Sequence, residues 1–299
     1  MRRARAVLEV RAKVLQAIRR FFVERKFLEV ETPVRLKAPA PEVHIEAEAS
    51  GDYFLRTSPE LHMKRLLAAG YERLFQVGPC FRRGEKGQIH HPEYTMLEWY
   101  RANADYHHIL VDARALITFV AREVLGGTDL SHRGQPVALW PIWDYVTVAD
   151  AFRQHAGWDP IAAFDADRFD LDLVEKVEPR LPKNVPVVLA DYPADAAALA
   201  RRKKDQPAVA ERWELYIGGL ELANAYSELT DAGEQEDRFR AWSRRRRELG
   251  KAAYPPDQAF LDALGSGMPA SGGIALGVDR LVMLLTDSAS LEDVVAFCE

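Results

Sequence analysis

The stretch RLFQVGPCFRRGEKGQIHHPEYTMLEWYR, residues 73–101, limits the possible folds more than any other part of the chain. Two apolar runs flank a charged, glycine-containing loop, so they read as two strands joined by a hairpin connection. Either the loop is a solvated tip, or it grips an anion while the second strand floors a pocket. A second pair, WELYIGGLELANAYSEL (213–229), turns around Gly218 and Gly219. Near the C-terminus GSGMPASGGIALGVDRLVMLL (265–285) reads as a glycine-rich strand entering a helix. FLEVETPV is expected to be a short strand closed by Pro33, and VPVVLADYP a buried one. Apolar residues at three- and four-residue intervals predict an amphipathic helix from Ala4 to Lys26. Further helices are expected at 59–69, ended by Gly70, at 106–125 and at 234–249. Between about 126 and 210 repeated prolines and acidic clusters weaken the signal. Helices among antiparallel-looking hairpins, without regular βαβ alternation, predict an α+β fold on a mainly antiparallel sheet.

Composition narrows the function. The 299 residues are 48% hydrophobic and 28% charged, which is ordinary globular usage, and the net charge of −5 argues against an overall nucleic-acid or membrane binder. The two cysteines, Cys80 and Cys298, form neither a disulfide framework nor a zinc spacing. The basic N-terminus lacks the apolar run of a signal peptide, and no stretch is long and apolar enough to span a membrane. A cytoplasmic protein is expected.

Several side chains invite chemistry. Arg82, at a strand end, can offer a planar fork of donors to phosphate oxygens, although a lone arginine there would ordinarily be a surface residue. His90 and His91, being adjacent on a strand, point to opposite faces and do not suit one metal ion. Glu221 and Glu228 are seven apart; on an unbroken strand they point oppositely. A shared Mg²⁺ site therefore requires a bend or bulge near Ala223 to Ala225, and two solvated acids on an edge strand are the even alternative. The glycine-rich segment before Arg280 lets a nucleotide approach backbone, with Arg280 in the first turn of the helix that follows. It fits neither the P-loop nor the dinucleotide-binding fingerprint. Arg244 to Arg247 share a helix with many acids and read as a solvated face.

Taken together, the N-terminal helix and strand ending in Pro33, FRR…HHPEYTMLEWY, and GIALGVDRL resemble the three motifs of the class II aminoacyl-tRNA synthetase core, in that order. TSPELHMKRLL, HPEYTMLEWY and ELANAYSELTD resemble the lysyl branch in particular, and the likeness covers nearly the whole chain. The core's first helix begins within the first ten residues, so one catalytic domain spanning 1–299 is expected, without an anticodon-binding OB domain. Such a truncated core resembles the family that joins β-lysine to a lysine of translation elongation factor P, and GMPASGGIALGVDRLVML fits that branch.

The resemblance implies AMP-forming activation of β-lysine or lysine with ATP and Mg²⁺, elongation factor P as acceptor, and a homodimer built on the N-terminal helix. It implies neither tRNA nor a membrane as partner. It places Arg82 on the α-phosphate and Arg280 on the γ-phosphate. Arg83, Gly84, Glu85, His91, Leu222 and Gly277 complete the nucleotide site. Glu221 and Glu228 would meet Mg²⁺, and Ser58, Pro59, Glu60, Tyr100 and Glu228 the amino acid. Ala275 stands where the lysyl branch typically has glycine, so its methyl would reshape the pocket near the substrate amine. The loop departs from the family's Arg-Asn-Glu: it reads Arg82-Arg83-Gly84 with Glu85 one place later, and His91 replaces an asparagine. Two alternatives stay open: a stand-alone enzyme charging tRNA or another acceptor, and a non-catalytic lysine- or ATP-binding paralogue.

Overall fold

The computed structural model describes the backbone of residues 2–298. Its helices are α1 (Arg2–Glu24), α2 (Glu60–Ala68), α3 (Tyr106–Leu125), α4 (Val148–His155), α5 (Ala166–Asp172), α6 (Ala232–Glu248), α7 (Gln258–Gly265) and α8 (Val278–Leu285). The strands of the first half are β1 (Leu28–Glu29), β2 (Arg35–Leu36), β3 (Ala49–Ser50), β4 (Tyr53–Leu55), β5 (Arg73–Phe81) and β6 (Glu93–Ala102). Those of the second half are β7 (Asp129–His132), β8 (Gln135–Ala138), β9 (Asp144–Thr147), β10 (Val187–Pro193), β11 (Val209–Ile217), β12 (Leu220–Ser227) and β13 (Ser271–Gly277). Among the described residues no helix is long and apolar enough to cross a membrane.

An eight-stranded sheet runs in the order β1-β5-β6-β13-β12-β11-β10-β9. Its two outer pairs, β1 with β5 and β9 with β10, are parallel, and every pair between them is antiparallel. This is the α+β architecture expected. β11 and β12 meet in a two-residue turn whose glycines, Gly218 and Gly219, both take positive φ (62° and 81°), the geometry a tight hairpin demands. α3 starts where Asp105 accepts from the backbone of His107 and His108 and stops at Gly126 in the left-handed region.

The apolar stripe of α1, expected to seek a second copy of the chain, is buried inside its own. Val14, Ile18, Phe21 and Phe22 join a core that includes Leu116, Ile117 and Val120 of α3. Phe22 stacks on Phe75 at 4.7 Å and leans on Trp99 at 5.2 Å. Side chains of this size contribute about 1.5–3 kcal/mol each when fully buried. The segment after α1 holds only two residues of strand; beyond it the Val30 amide still donates to the Phe75 carbonyl, and Gln76 accepts from the Thr32 amide.

The arginine run of α6 departs from a solvated face. Arg246 is wholly buried. Its guanidinium donates to the carbonyls of Glu42, Ile45 and Ala252 and pairs with Glu46, while Tyr254 lies under it at 4.3 Å. Lys251 adds a bond to the Val43 carbonyl, and the Tyr254 hydroxyl accepts from the Ala47 amide. α6 and the loop after it thus hold residues 42–47 as an irregular strap across one face of the large sheet.

Candidate active site

One face of the sheet floors a cavity of about 400 Å³. Register sets the floor in rows: Tyr100, Gly273 and Tyr226 lie across from one another, and Glu98, Ala275 and Asn224 form the next row. Gly273 is required here. A Cβ at that position would overlap both the Tyr100 ring and Glu228 Oε1.

At one end of the cavity three carboxyl groups gather. Glu98 is 1% exposed and accepts from the Ser58 hydroxyl (2.6 Å) and the Tyr100 hydroxyl (2.8 Å). Burial, reinforced by the charge of Glu60, pushes its pKa up to about 8. Ser58 does not cap α2 in the usual way. Its oxygen instead accepts from the Glu60 amide, so one hydroxyl fixes two of the acids. Between Glu60 and Glu228 sits Lys64, wholly buried, with Nζ 2.5 Å from Glu60 Oε1 and 2.5 Å from Glu228 Oε2. Burial disfavours that ammonium, but the two carboxylates outweigh it and its pKa is raised. Glu228 is raised by its own burial, an effect Lys64 opposes.

At the other end lie the arginines. Arg82, at the end of β5, packs on the Tyr94 ring at 5.2 Å with Glu85 3.7 Å away, and its Nε has no hydrogen-bond partner among the described residues. Arg280 reaches back from α8 to the Glu221 carbonyl (2.7 Å), the Glu221 carboxylate (3.2 Å) and His90 Nε2 (2.8 Å). The start of α8 is locked by Asp279, which accepts from the Thr95 amide and from Arg11 of α1. Arg212 and Glu214 on β11 continue the polar wall, with Asn224 in contact with Arg212.

Ser58, Glu60, Arg82, Glu85, His91, Tyr100, Glu221, Leu222, Glu228, Ala275, Gly277 and Arg280 all line this one cavity. Pro59, Arg83 and Gly84 are not part of its lining: Pro59 turns the chain into α2, and Arg83 and Gly84 are exposed, the Arg83 amide donating to the Glu46 carbonyl of the strap. Glu221 does face the cavity with Glu228, through a bulge at Leu222, one residue before the window expected. Yet Glu221 is taken up with Arg280 and Glu228 with Lys64. Among the described residues no three histidine, cysteine or acidic side chains converge as an ion site.

Residue-type reasoning left Glu98, Lys64, Arg212, Asn224 and Tyr226 unassigned. Glu98 carried a usable signal, an acid inside the apolar run YTMLEWY. Lys64 carried none, because Glu60 and Lys64 are spaced like any surface pair on a helix.

A family model described as tRNA synthetases class II (D, K and N) matches residues 1–299. The chain belongs to that family. A lysine–tRNA ligase of Nostoc punctiforme is 38% identical over 315 residues, which span 96% of this chain and 56% of that protein. A lysine–tRNA ligase of Moorella thermoacetica is 38% identical over 97% of this chain and 64% of that one. This chain therefore spans a little over half the length of those relatives. An elongation factor P–(R)-beta-lysine ligase of Histophilus somni is 38% identical over 97% of this chain and 94% of that protein.

Proposed function

We propose that residues 1–299 work as one catalytic domain that activates a diamino acid, lysine or β-lysine, as its adenylate and passes the acyl group to an amine of an acceptor protein. The observation that carries this reading is the cavity's polarity: three carboxyl groups at one end, those of Glu98 and Glu228 buried and that of Glu60 largely so, and two arginines at the other. Carboxylates suit the two ammonium groups of a diamino acid, and a guanidinium suits phosphate oxygens. Elongation factor P is the proposed acceptor, on the name of the Histophilus relative, which this chain matches nearly end to end.

In this mechanism Glu60, Glu98 and Glu228 hold the amines, with Tyr100 and Ser58 orienting Glu98. The substrate carboxylate is left pointing toward the arginine end. Its oxygen attacks the α-phosphorus of ATP, and the bond to pyrophosphate breaks. Arg82, whose Nε has no hydrogen-bond partner among the described residues, and Arg280 gather the phosphates; Met96, Ile89 and Gly277 offer apolar and open surface to the rest of the nucleotide. A Mg²⁺ carried in on ATP would meet Glu221 and supply charge neutralisation on the phosphates. An uncharged acceptor amine then attacks the acyl carbon, AMP leaves, an amide forms and the amine loses a proton. Most of the catalysis is positioning and charge complementarity.

The test is to incubate the chain with ATP and each lysine isomer, follow pyrophosphate exchange, and then weigh elongation factor P. Exchange that depends on a diamino acid, with the mass of one lysyl or β-lysyl group added to the factor, is expected. No exchange with either isomer would refute the activity, and charging of tRNA with no gain on the factor would replace the acceptor.

A further inference from the structure

Lys64 is the one participant whose presence the proposed chemistry does not by itself require. It lies on the buried side of α2 with Leu61, Met63 and Leu67, where an apolar side chain would be the ordinary choice. An ammonium wholly removed from water is costly, and replacing a buried ion pair by apolar packing is often neutral or stabilising. Stability alone therefore does not explain it. Nor is it a routine pair between successive turns of a helix. Its Nζ is 2.5 Å from Glu60 on its own helix and also 2.5 Å from Glu228, which follows β12 on the opposite wall. Neither oxygen of Glu228 makes a hydrogen bond of good geometry among the described residues: Oε2 is held by the Lys64 ion pair alone, and Oε1, also buried, has no hydrogen-bond partner. It lies where a Cβ on Gly273 would fall, against the edge of Tyr100.

We propose that Lys64 is a specificity-determining positioning residue, whose ammonium sets the pocket for a substrate carrying two amines. It clamps Glu60 to Glu228, and it leaves Glu228 Oε1 aimed into the cavity. Once an incoming ammonium has drawn the proton from Glu98, Lys64 also offsets one of the three carboxyl charges, so that two remain for the two amines of a diamino acid. Without it the pocket presents three acids to two ammonium groups, with Glu60 and Glu228 free to repel one another. This inference rests on the proposed activation of a diamino acid and adds the residue that fixes which charge count is accepted.

The test compares the full-length wild-type chain with Lys64→Met and Lys64→Gln in pyrophosphate exchange, scoring KM for the amino acid and KM for ATP separately. The amino-acid KM is expected to rise roughly ten- to a hundredfold, the loss typical of a hydrogen bond to a charged group, with the ATP KM unchanged. Lys64→Ala, which opens a space onto the cavity, is expected to regain amino-acid affinity with added methylammonium and not with methanol. A loss that comes from packing alone would not distinguish those two additives. An unchanged amino-acid KM, an equal rise in both KM values, or failure of both neutral variants to fold would overturn the inference and leave Lys64 a structural residue. A wild-type chain that shows no exchange with any diamino acid overturns the activity itself, and the inference with it.

Discussion

Glu98 keeps its proton to a higher pH than an exposed glutamate because burial and the neighbouring Glu60 both penalise its charge. Between its ordinary value of 4.5 and about 8 the folded chain therefore binds more protons at this site than the unfolded chain does. Stability contributed by this group must then fall as pH rises through that window. Denaturation midpoints should decline from the lower to the upper end of it, and Glu98→Gln should flatten the decline; equal slopes in the two proteins would contradict the assignment. An incoming ammonium group reverses the balance by favouring the carboxylate, so lysine binding near neutrality should release protons to the buffer. Ala275 is expected to act by shape. It sits between Glu98 and Asn224 on the cavity floor, where its methyl narrows the space beside the acids. A steric discrimination of this kind is worth ~1–3 kcal/mol, so Ala275→Gly should raise kcat/KM for α-lysine relative to β-lysine by roughly ten- to two-hundredfold. If the methyl merely fills the strand, that ratio stays where it is.

The elements differ in how plainly the sequence announces them. The β11–β12 hairpin and α3 were legible because their signals are local: Gly218 and Gly219 for the turn, and Gly126 for the end of an amphipathic helix. β9 was not, since it exists only by pairing with β10 across the whole of α4 and α5, and four residues carry no pattern of their own. The two cavity arginines, Arg82 and Arg280, stood out because they sit in motifs. Arg246 did not, because a buried arginine in a run of four looks like its exposed neighbours until the strap it grips is seen. That strap yields the prediction at this scale. Arg246→Met should destabilise the chain by about 1–3 kcal/mol, because the carbonyls of Glu42, Ile45 and Ala252 lose their donor while Glu46 keeps access to water. It should also make residues 42–47 the first site cut in limited proteolysis. A variant that melts with the wild type and shows no new cleavage would mean the strap is held by its other contacts.

For the molecule as a whole, burial of the α1 stripe removes the simplest reason for a second copy to dock there. What stays exposed on that side is smaller: Val23 at the end of α1, Leu28 on the edge strand β1, and Tyr71 just before β5. A two-residue edge strand still offers unpaired backbone to a partner. If the family's two-fold assembly forms, it should use this patch, and Leu28→Glu should halve the mass measured by light scattering while leaving the melting temperature nearly unchanged. A wild-type chain that is already monomeric at micromolar concentration would end the matter.

The bulge at Leu222 carries a lesson in counting. Along a flat strand, residues on one face are separated by even numbers, and Glu221 and Glu228 are separated by an odd one. The extra residue absorbs the difference. An odd interval between two acids that both face one pocket is therefore the written trace of an irregularity no propensity scale would report. Removing any one residue between the two acids leaves an even interval, and with it an unbulged strand on which both share a face, whereas removing two leaves an odd interval that again demands a bulge or turns one acid away. A shorter and a longer deletion at the same place would thus have opposite consequences for the pocket.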